Sequence, residues 1–168
     1  MRLGPTISQL DDLSTRWDSS GAWSTLMLGS AQTRTAGDFG ILGRMGRNLG
    51  YEVQAEYFRV DQIWYSALES TPNDWLIEAF IEHENEIARA EETIRKLLQL
   101  GAGFKVLISY PMAKSPSKVL DEIARLVRTR HSTPADTRLL TVFGFLENRA
   151  VKWQAHEIDG MGRVATIP

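Results

Sequence analysis

The sequence predicts a mixed α/β domain in which helices flank a sheet. Three observations carry that prediction. The apolar period changes to two at Tyr51, where Tyr51, Val53, Ala55 and Tyr57 alternate with Glu52, Gln54, Glu56 and Phe58. An apolar stretch, FKVLISY from Phe104 to Tyr110, reads as a buried strand closed by Pro111. It lies between two amphipathic helices. In Glu86 to Leu100, residues Ile87, Ala90, Ile94, Leu97 and Leu98 share a face, and in Ser117 to Arg130 Val119, Leu120, Ile123, Leu126 and Val127 do so.

Taken in chain order, Ile7 to Trp17 has apolar residues at spacings of three and four, a short amphipathic helix. Ala22 to Leu28 (AWSTLML) is apolar and reads as a strand. Ala36 to Leu49 reads as a helix capped by Asp38, with Ile41, Leu42, Met45 and Leu49 on one face and Gly50 as its stop. Gly40, Gly43 and Gly46 each cost that helix up to about 1 kcal/mol against Ala, so their three-residue spacing implies a close neighbour on that side. Val60 to Tyr65 (VDQIWY) is a second strand, Glu69 to Asp74 (ESTPND) a turn, and Trp75 to Ile81 an apolar run interrupted only by Glu78. Leu139 to Leu146 and Val151 to Ile158 read as two final strands.

A chain of 168 residues, 43% hydrophobic and without internal repeats, is predicted to form a single domain, 1–168. Its 19 basic and 21 acidic residues nearly cancel, so no bulk basicity points to nucleic acid, although a local basic groove remains open. The absence of Cys excludes disulfides, iron–sulfur clusters and thiolate metal sites. The N-terminus lacks the apolar core of a signal peptide and no stretch has the length of a membrane span, which predicts a soluble, cytoplasmic protein.

The chemistry concentrates in AFIEHENEIARAEE, Ala79 to Glu92. Read as a strand, Leu76 to Glu84 sets Leu76, Glu78, Phe80, Glu82 and Glu84 on one face and Ile77, Ala79, Ile81 and His83 on the other. Glu82 and Glu84 then point the same way, about 7 Å apart along the strand. A hairpin through Glu69 to Asp74 would bring Asp61 opposite them. Three converging carboxylates call for a cation, and hard oxygen ligands suit Mg²⁺ or Mn²⁺. The other reading is one helix from Asn73 to Leu100, with the acids on a solvated face. That helix would be far longer than most and would put Glu84 or His83 in its apolar stripe.

Here the residues resemble a known family. RVDQIWY (Arg59 to Tyr65), AFIEHEN (Ala79 to Asn85) and FKVLISY, in the order helix, strand, strand with Asp, turn, strand with Glu-x-Glu, helix, strand, are similar to the core of the PD-(D/E)xK nucleases. The resemblance implies a restriction-endonuclease-like mixed sheet flanked by helices, an α-β-β-β-α-β core over about 36–110. An N-terminal helical extension and a C-terminal helix plus strands lie outside it. It implies Asp61 and Glu82 as ligands of Mg²⁺ (or Mn²⁺), with Glu84 where the family usually has Lys and Val60 where it often has Pro. Asp38, and after it Glu56, are secondary candidates for an acid near the first helix. Neither Lys96, too far along a helix that begins at Asn85, nor Lys105, at the start of the next strand, is taken as the missing Lys.

The implied activity is metal-dependent endonucleolytic hydrolysis of DNA, with Asp61, Glu82 and Glu84 as the catalytic set. Arg44, Arg47, Lys114 and Lys118 are candidate phosphate contacts, and a homodimer or partner subunit is expected because so short a chain leaves little room for a sequence reader. The alternative is an inactive nuclease-like domain that binds DNA or protein, which the absent Lys favours. A mainly helical interaction domain follows if Leu76 to Leu100 is all helix. His83 reads as a solvated or hydrogen-bonded strand residue, Asn85 as a helix cap, and the five Trp as core or interface, with base stacking a less ordinary role.

Overall fold

A computed structural model of the chain describes residues 27–29, 37, 39–67, 74–84, 90–101, 104–110, 115–129, 136–147 and 150–168. Three helices have bounds within them, α1 (Gly40–Asn48), α2 (Ala90–Gln99) and α3 (Pro116–Thr129). The seven strands are β1 (Glu52–Tyr57), β2 (Val60–Ala67), β3 (Trp75–Glu84), β4 (Phe104–Ser109), β5 (Arg138–Glu147), β6 (Ala150–Asp159) and β7 (Val164–Ile167). They form one sheet in sequence order. β1, β2 and β3 are an antiparallel meander, β3, β4 and β5 run parallel, and β6 and β7 return antiparallel. Trp75 to Glu84 is thus a strand, and the single long helix is ruled out.

The parallel pairs need crossovers, and α2 and α3 supply them. Both helices pack on one face of the sheet. Ile94, Leu97 and Leu98 of α2 and Val119, Ile123 and Val127 of α3 meet Phe80, Leu107, Leu139 and Phe143. Each such fully buried side chain contributes roughly 1.5–3 kcal/mol. α1 covers the opposite face, where Leu42 joins Trp64, Ala79, Ile81, Val106 and Ile108. No helix among the described residues is long and apolar enough to cross a membrane.

The glycines of α1 do have close neighbours. A Cβ on Gly40 would lie 2.5 Å from the Met27 carbonyl oxygen, and one on Gly46 would lie 2.7 Å from Trp64 Nε1. That indole also donates to the buried Gln62 Oε1 at 3.1 Å, so it cannot swing aside without losing a partner. Gly46→Ala is therefore expected to lose stability, by about 1–3 kcal/mol as overpacking does, despite its better helix propensity; urea denaturation measures it, and an unchanged midpoint would show that Trp64 can shift. Gly50 ends the helix at φ 90°, with Tyr51 N–H donating to Gly46 O at 3.0 Å and Gly50 N–H to Arg47 O at 2.9 Å.

Several expectations need correction. Met27 and Leu28, expected in a strand, are helical, and the remainder of Ala22 to Leu28 lies outside the described residues, as does Ile7 to Trp17. The N-cap of α1 is Phe39, which makes no capping bond, and Asp38 lies outside the described residues. The alternation assumed for β3 is broken at Glu78. Trp64 pairs with Ala79 but Tyr65 with Ile77, so Glu78 is an extra residue and Ile77 turns onto the face of Phe80. β7 was not expected: its four residues are all exposed and carry no burial pattern.

Candidate active site

Asp61 and Glu82 meet because of the β2–β3 register. The last ladder pair is Gln62 with Ile81, and Asp61 and Glu82 are the next residue on each strand. Beyond that pair the carboxylate takes over as acceptor: His83 N–H donates to Asp61 Oδ2 at 2.8 Å. This fixes Asp61 through the backbone of the residue after Glu82. Glu84 follows on the same face as Glu82, at the end of β3, where Thr93 Oγ1 of α2 donates to Glu84 Oε2 at 3.1 Å.

Lys96 completes the cluster. It lies one helical turn beyond Thr93 on α2, and its ammonium is paired with Glu82 Oε1. The same Nζ donates to the carbonyl oxygen of Arg59 at 2.8 Å. Arg59 belongs to the two-residue turn that joins β1 to β2, so Lys96 ties α2 to the hairpin immediately before Asp61. Glu82, Glu84 and Lys96 open into a cleft of about 460 Å³, lined also by Arg59 and Thr93 among others, while Asp61 stands outside its lining.

Burial perturbs the Glu82 carboxyl. It is 5% exposed. Burial pushes its pKa up, the Lys96 hydrogen bond pulls it back, and the charges of Asp61 and Glu84 add to the rise, to about 7 against an ordinary 4.5. A buried acid beside two others, poised near neutrality, has the electrostatics of a site that a cation would complete. His83 points to the other face, where its Nε2 hydrogen-bonds with the Tyr110 hydroxyl at 2.8 Å. Burial lowers the imidazole pKa to about 4, so it is a neutral residue, and of the two expected settings, solvated or hydrogen-bonded, it takes the second.

Asp61, Glu82 and Glu84 are thus brought together on one face. Glu56 is exposed on β1, between the pairs Ala55 with Gln62 and Tyr57 with Val60, which places it across from Asp61. Asp38 and Lys114, and Asn85 with them, lie outside the described residues. Arg44 and Arg47 are exposed on α1, which packs on the sheet face opposite α2, so they do not share the surface of the acids. Arg47 lies 5.1 Å over the Phe39 ring and donates to Gly37 O, a role in holding the start of α1. Lys118 is exposed near the N-terminus of α3.

The dismissal of Lys96 is overturned. Reckoning from Asn85 placed it too far away, but in the described helix it lies six residues after Ala90, about 9 Å by the usual rise. Because α2 is a crossover, that displacement runs back along β3 toward Glu82. The available signal was the polar pair Thr93 and Lys96, one turn apart beside the apolar Ile94 and Leu97. Lys105 is 2% exposed at the start of β4, opposite Phe80, and the charge of Asp136 acts on it.

Among the described residues no three of His, Cys, Asp and Glu form a ready-made metal cage. Mg²⁺ does not require one, since it is commonly held by one or two carboxylates and keeps several waters. The sequence matches no protein-family model, and no curated protein matches it.

Proposed function

We propose that the chain is a restriction-endonuclease-like, Mg²⁺- or Mn²⁺-dependent nuclease that hydrolyses DNA phosphodiester bonds. The observation that carries this reading is the meeting of Asp61, Glu82 and the Lys96 ammonium at the end of the β2–β3 ladder. The sheet supports it as well, with three antiparallel strands followed by a helix and a parallel strand in the order that the resemblance implies. Lys96 supplies from α2 the positive charge that the motif lacks at Glu84.

The donor set fits a hard divalent cation: carboxylate oxygens only, one of them on an acid raised by burial and by its neighbours. Asp61 and Glu82 would hold it. Bound there, Mg²⁺ supplies Lewis-acid polarisation of the phosphoryl group and neutralises its charge. The protein's own part is largely positioning. His83 N–H orients Asp61, and Thr93 orients Glu84 at the cleft wall, where its carboxylate can accept a hydrogen bond from the attacking water. The Lys96 ammonium, fixed by the Arg59 carbonyl, holds positive charge where negative charge develops on the phosphate oxygens.

The experiment is incubation of the protein with labelled single- and double-stranded DNA, with Mg²⁺, with Mn²⁺ and with EDTA. Cleavage is expected with either metal, none with EDTA, and none from Asp61→Ala. A wild-type protein that cuts nothing under any of these conditions turns the reading to the inactive module, in which Lys96 permanently neutralises Glu82.

A further inference from the structure

The turn that carries Arg59 is built from the wrong residues for its shape. Tyr57 pairs with Val60, leaving a two-residue loop in which Phe58 has φ 48° and Arg59 has φ 62°. Such a turn ordinarily uses Asn-Gly, because side chains with a Cβ are strained when φ is positive at both positions. Glu56, at φ 55°, is two residues away, and these three are the only non-glycine residues of positive φ among the described ones. Strain gathered beside a candidate active site points to a use for the side chains that cause it.

Those side chains have a definite chemistry. Phe58 is 72% exposed at the tip of the turn, while Arg59 lines the cleft with Glu82 and Lys96. From Phe58 a file of rings continues along the surface. Its ring is 4.7 Å from Tyr57, Tyr57 is 5.5 Å from Trp75, and Trp75 is 4.6 Å from Tyr65. Tyr57 pairs with the start of β2 and Trp75 with its end, and their rings nevertheless meet. Tyr57 and Tyr65 pack on the α2 side of the sheet, the side of the acids, and Trp75 stays 41% exposed.

We propose that the Phe58–Arg59 turn and the aromatic file behind it form a track for single-stranded nucleic acid, with Arg59 on a phosphate at the cleft and Phe58 and Trp75 stacked on unpaired bases. The substrate class is then a single strand or an unpaired end. The proposal deepens the nuclease reading and rests on it for its biological sense, but binding itself needs no catalysis. Duplex binding depends mainly on neutralising many phosphates, and this surface is poorly equipped for that. Arg95 is paired with Glu91 and Lys96 with Glu82, and the chain is net −2. Exposed aromatic rings give affinity of another kind, available only where a base presents its face.

The test is fluorescence anisotropy in EDTA, where nothing is cut, with a labelled single-stranded DNA, its RNA counterpart and the matching duplex. Single strands are expected to bind at least about tenfold more tightly than duplex. Phe58→Ala and Trp75→Ala should each weaken single-strand binding by about tenfold and leave duplex binding unchanged. A 2-aminopurine base should be quenched by the wild type and not by Phe58→Ala. Replacing Phe58 and Arg59 together by Asn and Gly keeps the carbonyl that accepts from Lys96. That variant is expected to melt about 2–4 °C higher while losing single-strand binding. Duplex bound as tightly as single strand, or Phe58→Ala and Trp75→Ala with wild-type affinity, would overturn the proposal. DNA cleavage that persists alongside such results would leave the nuclease reading standing. Phe58-dependent binding without any cleavage would support the track and sink the nuclease reading instead.

Discussion

Glu82→Gln is expected to lower Mg²⁺-dependent cleavage by about a thousandfold, within the range that a group acting on the reacting centre contributes. The variant keeps the shape of the side chain but cannot ionise, so it removes the negative charge of a metal ligand without opening a cavity. It also changes the pH dependence of stability in a characteristic way. Glu82 has a folded pKa of about 7 against an ordinary 4.5, so between those values the folded state holds a proton that the unfolded chain has released. The resulting stabilisation is fully present below pH 4.5 and is lost as pH rises through 7. Its size is on the order of 3 kcal/mol. In EDTA the wild type should therefore lose stability relative to Glu82→Gln over this window. His83 runs the other way, its depressed pKa giving stability that is present above 6.5 and lost as pH falls through about 4, but that background is common to both proteins. Mg²⁺ should restore the wild type near neutral pH and leave Glu82→Gln unmoved. Urea denaturation at several pH values with and without Mg²⁺ measures all of this, and identical pH profiles for the two proteins would contradict the assignment.

Lys96→Met comes next in expected effect, with cleavage reduced by about a hundredfold or more. Removing the ammonium takes away what pulls the Glu82 pKa down, so Glu82 should hold its proton to higher pH. The acidic limb of the pH–rate profile should move up accordingly, a change that a merely structural role for Lys96 would not produce. The stability loss should be smaller than the 3–5 kcal/mol typical of breaking a fully buried pair, because the Lys96 side chain is 32% exposed. Lys96→Arg keeps the charge but replaces a point donor by a planar fork, so partial rescue is expected. Full activity in Lys96→Met would show that the ammonium only neutralises Glu82.

Much of the frame was legible because burial writes a period into the sequence. β2, β4, α2 and α3 each carry an apolar pattern with one interpretation, and their observed bounds fall near those predicted. The proximity of Asp61 to Glu82 could be counted back from the turn, since an antiparallel pair fixes its register from the loop. What the sequence hid follows from features without a period. β7 buries nothing. The bulge at Glu78 is a local slip that alternation cannot announce. Lys96 was misplaced because the reach of a side chain depends on where its helix turns back along the sheet. The left-handed turn was invisible because neither Phe58 nor Arg59 is a residue that such turns prefer.

Asp61 and Glu82 are proposed to share a divalent cation beside Lys96. A crystal of the protein soaked in Mn²⁺ tests it most directly, by anomalous scattering from the metal. One strong peak is expected between the two carboxylates, within about 2.0–2.4 Å of an oxygen of each, and no such peak in Glu82→Gln. Crystals that take up no Mn²⁺ there, with Lys96 still seated on Glu82 and the two carboxylates too far apart to share an ion, would contradict it.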